Sequence, residues 1–344
     1  MADTKKKATI KDVARESGCS IATVSRVING VNMYYSQETR EKVEEAVKKL
    51  NYTPNLNAKG LKESRSFNIV YLVPQMDEYY VSILNVMQEI ANQKGYSVFI
   101  LSSNYSEEQE AKHIQHILEK QYDGVVIATG LLNQKYVERI DEIFKGIPTV
   151  ILEGITHETQ IPTVFVNVRK LCYKAVEELI ALGHQKIAYV SAPCIFHTLT
   201  ERYSGYEDAL KEHNIPIDKS LVFIEKGLEK TDFKDCYNVM DKILRNREFT
   251  AMLIMSDWAA MVASSIVHEK GGTVPEDLSI IGFDNMAFTE YVIPQLSTIS
   301  QASEVVGEKG ILMLLDQIEG KEVGNTLVEG SLIMRCSVSN AKPI

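Results

Sequence analysis

From residue 67 onward the chain repeats one unit, a short run of apolar residues followed by a helical segment. NIVYLV (68–73), YSVFIL (96–101), DGVVIA (123–128) and PTVIL (148–152) make a first series. TVFVN (163–167), KIAYVS (186–191), SLVFIE (220–225), TAMLIMS (250–256) and LSIIGFD (278–284) make a second. A strand with one wet face alternates apolar and polar residues. A strand apolar at nearly every position needs cover on both faces, and helices placed between strands supply it together with the parallel crossover. Tyr203–His213 and Asp257–Lys270 are two such helical segments. The pattern therefore predicts an α/β core of two doubly wound parallel-sheet subdomains. At 344 residues and 45% hydrophobic, the chain can bury two sizeable cores. Ligands of open α/β sheets sit at the carboxyl ends of strands, so binding residues are sought at the strand exits.

The N-terminal stretch from Thr9 to Asn29, TIKDVARESGCSIATVSRVIN, follows a different period. Ile10, Val13 and Ala14 form an apolar stripe at helical spacing, and Thr9 with Asp12 has the form of a capping box. Gly18 breaks this helix. Ser20 caps a second, whose Val24, Val27 and Ile28 face back on the first and leave Ile21, Ala22, Thr23, Ser25 and Arg26 on the rim. In a helix-turn-helix the second helix enters the major groove by its N-terminal end, and an arginine there can grip a guanine edge bidentately. Arg26 is the candidate. By itself the spacing also suits an ordinary helical hairpin. Ser36 then caps a third helix, about Gln37 to Leu50, with Val43, Ala46, Val47 and Leu50 inward, which closes a small all-α core. Pro54 ends it. Asn55 can cap the short segment LNAKGLK, which with Gly60 inside is too short to hold as an isolated helix.

The overall charge of −9 hides an asymmetry. Residues 1–65 hold 13 Lys or Arg against 8 Asp or Glu, and the rest 24 against 38, so the basic end is the end that suits nucleic acid. Lys5–Lys7 read as a solvated terminus. Cys19, Cys172, Cys194, Cys236 and Cys336 are odd in number and scattered, which points to reduced thiols in a cytoplasmic protein. No apolar run is long enough to span a membrane, and MADTKKK is not the start of a signal peptide. P-loop, GxGxxG, GxSxG, HExxH and CxxC patterns are all missing, which weighs against a sugar-modifying enzyme, and no cofactor or metal is expected. His113 and His116, three apart on one helical pattern, read as a solvated face.

TVSRVIN, SQETREKVEEAVKKLNYTPN and NAKGL, in that order, resemble the LacI/GalR family of bacterial transcription regulators, and the similarity runs to about Arg335. The resemblance implies an operator-binding headpiece over 1–54, a hinge over 55–65, and an effector-binding and dimerisation core over 66–344 like the periplasmic sugar-binding proteins. Within the core it implies an N-subdomain of about 66–163 with 294–326 and a C-subdomain of about 164–293 with 327–344, crossing near Thr163, Pro294 and Thr326. It implies DNA contacts from Thr9, Ser20, Ile21, Ala22, Thr23, Ser25, Arg26, Asn29, Tyr52, Asn55, Ala58, Lys59 and Leu61. Leu61 matches the leucine that enters the minor groove as a wedge. Gly60, where a bulkier residue is usual, predicts weaker coupling through the hinge. Ile21 and Ala22 favour thymine methyl contact or shape readout over hydrogen-bonded readout.

At the strand exits, Arg202, Asp284, Asp257, Glu153 and Asn167 are the candidate polar contacts to an effector, and Tyr79, Tyr80 and Trp258 the candidate stacking surfaces, a mixture suited to a sugar or sugar derivative. Arg202 in ERYSGYEDAL and Asp284 in IIGFDN match effector-contacting residues of the family. SDWAAM departs from the usual Asn-Asp, and Glu78 stands where a proline is common. The resemblance implies a homodimeric regulator, a repressor by the habit of the family, on a palindromic operator. With no leucine heptad after SNAKPI a tetramer is not expected. GFDN followed by PQLST also resembles the catabolite control branch, which would make a phosphorylated carrier protein the corepressor.

Overall fold

The computed structural model describes residues 8–28, 35–52, 65–128, 134–153, 159–193, 197–228, 233–245 and 248–342. The chain divides into two compact units, Met1–Ser66 and Phe67–Ile344.

The first unit is three helices, α1 (Ile10–Ser17), α2 (Ile21–Ile28) and α3 (Gln37–Lys49). Their ends are set by short polar side chains, as the sequence requires. The Asp12 carboxylate accepts from the Thr9 N–H at 2.9 Å and from its hydroxyl at 2.7 Å. Gly18 closes α1 at φ 67°, a left-handed conformation that glycine adopts without strain. Ser20 accepts from the Thr23 N–H at 3.1 Å and Ser36 from the Thr39 N–H at 3.2 Å, so both expected caps are formed. Val13, Val24 and Val43 are fully buried, with Ala14, Val27 and Ala46 around them. Lys49 ties α3 to α1 through Glu16.

The second unit runs, in chain order, β1 (Asn68–Val73), α4 (Glu78–Gln93), β2 (Ser97–Ser102), α5 (Glu107–Glu119), β3 (Gly124–Ala128), α6 (Gln134–Val137), α7 (Ile140–Ile143), β4 (Thr149–Leu152) and β5 (Thr163–Val166). It continues with α8 (Val168–Ala181), β6 (Ile187–Ser191), α9 (His197–Glu212), β7 (Val222–Ile224), α10 (Phe233–Arg245), β8 (Ala251–Ile254), α11 (Asp257–Glu269), β9 (Ser279–Phe283), β10 (Ser297–Ser300), α12 (Ser303–Ile318), β11 (Thr326–Val328) and β12 (Ser331–Ile333). One sheet has the order β11-β5-β4-β3-β1-β2, with every pair parallel. The other has β12-β10-β9-β8-β6-β7, parallel except that β12 runs against β10. Strands β3, β4, β6, β8 and β9 are buried at every position, as two-faced cover demands.

Two assignments from the sequence are corrected. TVFVN belongs to the first sheet, because β5 pairs with β4 and β11, and not to the second series. The crossings consequently follow Val166, Ser300 and Val328, each a few residues later than expected near Thr163, Pro294 and Thr326. A strand belongs to the sheet that completes its hydrogen bonds, so the chain can leave only after the last ladder position. β10 to β12 were not among the nine apolar runs, since LSTIS and the two short edge strands carry too few apolar residues to register as runs.

Candidate functional site

On the headpiece unit, Thr9, Ser20, Ile21, Ala22 and Arg26 are exposed and Thr23 and Ser25 are half-buried, while Val24 and Val27 of the same helix are buried. One surface of α2 therefore carries small, hydroxyl and apolar side chains with Arg26 among them. Ile21, at 45% exposed, holds an apolar side chain in water on this face, which suits contact with a thymine methyl. Tyr52 packs against the three-helix core, so its ring has a structural use. Asn29, Asn55, Ala58, Lys59 and Leu61 lie outside the described residues.

In the second unit a cavity of about 280 Å³ opens where the strand ends of the two sheets face each other. The first subdomain contributes Asp77, Tyr79, Tyr80 and Glu153, the second Arg202, Trp258 and Asp284, and the second crossing contributes Gln301. The cavity is at the lower end of the range for small-molecule sites, roughly 300 Å³ upward.

Arg202 projects from α9 and is 8% exposed, with its guanidinium 3.7 Å from the centre of the Phe283 ring. Burial works against its charge, yet Asp284 and Glu153 hold its pKa above the usual value. Asp284 leaves β9 next to Phe283 and accepts from the Gln301 amide at 2.8 Å. Burial pushes this carboxyl up to about 7, with Asp77 and Glu153 adding to the rise and Arg202 opposing it. Asp77 caps α4, accepting from the Tyr80 N–H at 3.1 Å and from the Gln75 amide at 2.7 Å, and burial raises its pKa as well. The rings of Tyr79 and Tyr80 meet edge-on at 5.3 Å. Trp258 stands between Phe233 and Phe288, at 4.9 and 5.0 Å between ring centres.

Two features mark the cavity wall as built for something other than stability. Glu153, at the exit of β4, and Asp284, at the exit of β9, both have positive φ, 70° and 102°. A side chain larger than glycine in that region costs about 1–3 kcal/mol, and such strain gathers at binding sites. Arg202 Nε, Gln301 Oε1 and the Tyr79 hydroxyl are buried without a hydrogen-bond partner among the described residues. Each is a donor or acceptor held ready at the cavity, in a place where leaving it unpaired is unfavourable.

Of the eight expected effector contacts, six line the cavity and two do not. Asp257 does not line it. Its carboxylate is fully buried and accepts from the Thr298 hydroxyl at 2.6 Å and from the Met286 N–H at 2.8 Å, and burial raises its pKa far above the ordinary value. The residue ties α11 to β10 and to the loop after β9. Asn167 is exposed and caps α8, accepting from the Lys170 N–H at 3.0 Å. Tyr79, Tyr80, Glu153, Arg202, Trp258 and Asp284 do line it. Asp77, Gln75, Phe283, Phe233 and Gln301 were missed. Asp77 and Gln75 lie in the segment between β1 and α4, just before the two tyrosines, and Gln301 follows β10, a strand that the apolar periodicity does not show. Glu78, the departure from proline, accepts from the Ala287 N–H at 2.8 Å and so joins the two subdomains.

A three-helix unit that presents a small-residue reading helix, in one chain with a two-sheet unit holding a polar cavity at its strand ends, defines a ligand-responsive DNA-binding regulator. Residues 9–55 match the family of bacterial regulatory proteins of the lacI family, and residues 66–336 match the periplasmic binding proteins and sugar-binding domain of the LacI family. The chain belongs to the LacI family and is a transcription regulator of that type. It is 30% identical over 331 residues to the HTH-type transcriptional regulator RegA of Clostridium saccharobutylicum, covering 95% of this chain and 98% of that one. It is 33% identical to the HTH-type transcriptional repressor PurR of Vibrio atlanticus, over 92% of this chain and 93% of the relative. Its fold matches the lac repressor dimer bound to operator and the anti-inducer ONPF, with a TM-score of 0.83 and 27% identity over 97% of this chain and 100% of that one. No described helix is long and apolar enough to cross a membrane, and no group of three or more His, Cys, Asp or Glu able to hold a metal ion occurs among the described residues.

Proposed function

We propose that this regulator binds a palindromic operator as a homodimer, in the cytoplasm, and that its affinity for that operator is set by a small polyhydroxylated effector in the cavity between the two sheets. The observation that carries the effector half is the trio of buried, unpartnered polar atoms of Arg202, Gln301 and Tyr79 around the cavity. The lac repressor structure is a dimer on operator, and a LacI-family regulator from Enterococcus faecium, 25% identical with a TM-score of 0.70, carries bound ribose; both support the reading. The groups at the cavity bind and orient, and the protein acts by binding and not by turnover. Arg202 and Asp284 are the polar anchors, Trp258 and Tyr79 the apolar faces against which a sugar ring rests.

Coupling requires that the effector prefer one arrangement of the subdomains over another, typically by 1–3 kcal/mol or roughly 5- to 150-fold in operator affinity. The test is to select operators from a random DNA pool with the full chain, then titrate the selected site with and without sugars. Operator affinity that changes at least fivefold with one sugar class supports the reading. A change that is equally large in Arg202→Lys and Asp284→Asn variants contradicts the assigned pocket. Control by a phosphorylated carrier protein instead predicts that no sugar alters operator binding.

A further inference from the structure

The cavity carries more information than the presence of a site, because its charge and its donor count are fixed by the lining residues. Three carboxylates, Asp77, Glu153 and Asp284, face one buried cation, Arg202. The other lining cation, Lys226, is exposed at the rim. An anion in a protein needs converging charged donors or the free N–H groups of a helix N-terminus. Among the described residues one buried charged donor, Arg202, meets three carboxylates, and of the helix N-termini at the cavity that of α11, at Ser256, has no side-chain cap but carries the Asp257 carboxylate in its first turn. Arg202 lays its guanidinium over the Phe283 ring, which fixes the plane in which its N–H groups point, so a single buried cation stands against the three carboxylates. The N-terminus of α4, which opens on the cavity at Tyr79 and Tyr80, is already capped by the Asp77 carboxylate. A phosphate placed there would meet a negative charge in the position where it would need a donor.

Acceptors dominate instead. The Gln301 carbonyl oxygen is unpartnered, and the carboxylates of Asp284 and Glu153 present oxygens with room for more than one donor each. Against them stand Arg202 Nε and the Tyr79 hydroxyl. Resting on the effector reading above, we infer that the cavity selects by charge: its ligand is a neutral or amino-bearing polyol, rich in hydroxyl or ammonium donors, and a phosphorylated or carboxylated sugar is rejected. The upward shift of Asp284 agrees: burial is its main cause, and the neighbouring carboxylates of Asp77 and Glu153 add to it against the opposing pull of Arg202. A ligand with a positive charge relieves that repulsion, and one with a negative charge adds to it.

The test is thermal unfolding of the full chain at constant ionic strength with matched sets: glucose, glucosamine and glucose 6-phosphate; galactose, galactosamine and galactose 6-phosphate; ribose and ribose 5-phosphate. Wherever a set stabilises the protein, the neutral or amino member is expected to bind at least tenfold tighter than the phosphorylated member. The Asp77→Asn, Glu153→Gln double variant is expected to narrow that ratio. A phosphorylated member that binds as tightly as its parent, or tighter, overturns the charge rule while the effector reading stands. No shift with any member, together with no effect of these sugars on operator binding, overturns the effector reading and the charge rule with it.

Discussion

The role reversal at Asp257, from expected ligand contact to buried tie, is open to a double-mutant cycle. Replacing it with Ala strands the Thr298 hydroxyl and the Met286 N–H, both now fully paired with its carboxylate at 2.6 and 2.8 Å. A buried polar group left without a partner costs about 1–3 kcal/mol, so Asp257→Ala should destabilise the second unit by about 2–4 kcal/mol, the lower figure allowing for release of a desolvated carboxyl. Gly282 lies against the same carboxylate. A Cβ there would overlap Asp257 Oδ1 and stand 3.2 Å from a Leu296 methyl. Gly282→Ala must therefore displace the carboxylate, at about 1–3 kcal/mol. With the carboxylate already gone, most of that penalty disappears. The double variant should be less destabilised than the sum of the single ones by about 1–2 kcal/mol. Urea unfolding followed through the fluorescence of Trp258, the one tryptophan of the chain, reads the second unit alone because the first has none. Additivity to within about 0.5 kcal/mol, or a loss below about 1 kcal/mol for Asp257→Ala, would refute the tie.

Three other outcomes are expected. Asp284 has a folded pKa of about 7 against an ordinary 3.8, so the folded chain keeps a proton that the unfolded chain releases. Its contribution to stability is greatest at low pH and is lost as pH rises from about 4 to about 7; urea midpoints of Asp284→Asn should show a smaller fall across that window than the parent chain. Glu153→Gly should stabilise the chain without ligand by about 1 kcal/mol, through relief of a positive φ and removal of a buried carboxylate, and should abolish the thermal shift given by the effector. A stability loss in that variant would show that Glu153 is structural. Arg26→Ala should lower discrimination at one guanine position of the selected operator by roughly 1–3 kcal/mol, with the other positions unchanged, in competition band shifts; an even loss across all positions would make Arg26 a phosphate contact.

Much of the fold could be read from the chain, and the reasons are local. A run such as GVVIA is free of polar side chains because β3 is buried on both faces. Ser20, Ser36 and Gly18 announced helix ends because few residues can do what they do there. The site was less legible. Whether an aspartate at a strand exit turns into the cavity or back into the protein depends on partners distant in sequence: Thr298 and Met286 claim Asp257, and Gln301 leaves Asp284 at the wall. Asn167 went to a helix cap for the same kind of reason, with the Lys170 N–H nearer than any ligand. The positive φ of Glu153 and Asp284 could not be read from residue type, since that conformation favours glycine and neither position has one.

The three crossings between the sheets set an order on synthesis. The apolar core of the first unit is made by residues between 10 and 52, so that core can form as soon as this stretch has left the ribosome. Neither sheet can be finished so early. The first awaits β11 at Thr326–Val328, and α12 at Ser303–Ile318 is needed to cover β3 and β4; the second awaits β12 at Ser331–Ile333. A nascent chain therefore passes through a stage in which the DNA-reading helices are folded and the ligand-sensing sheets still lack an edge. A stop codon shortly before residue 326 would fix that stage permanently, removing the outer strand of both sheets at once while leaving the helix bundle whole.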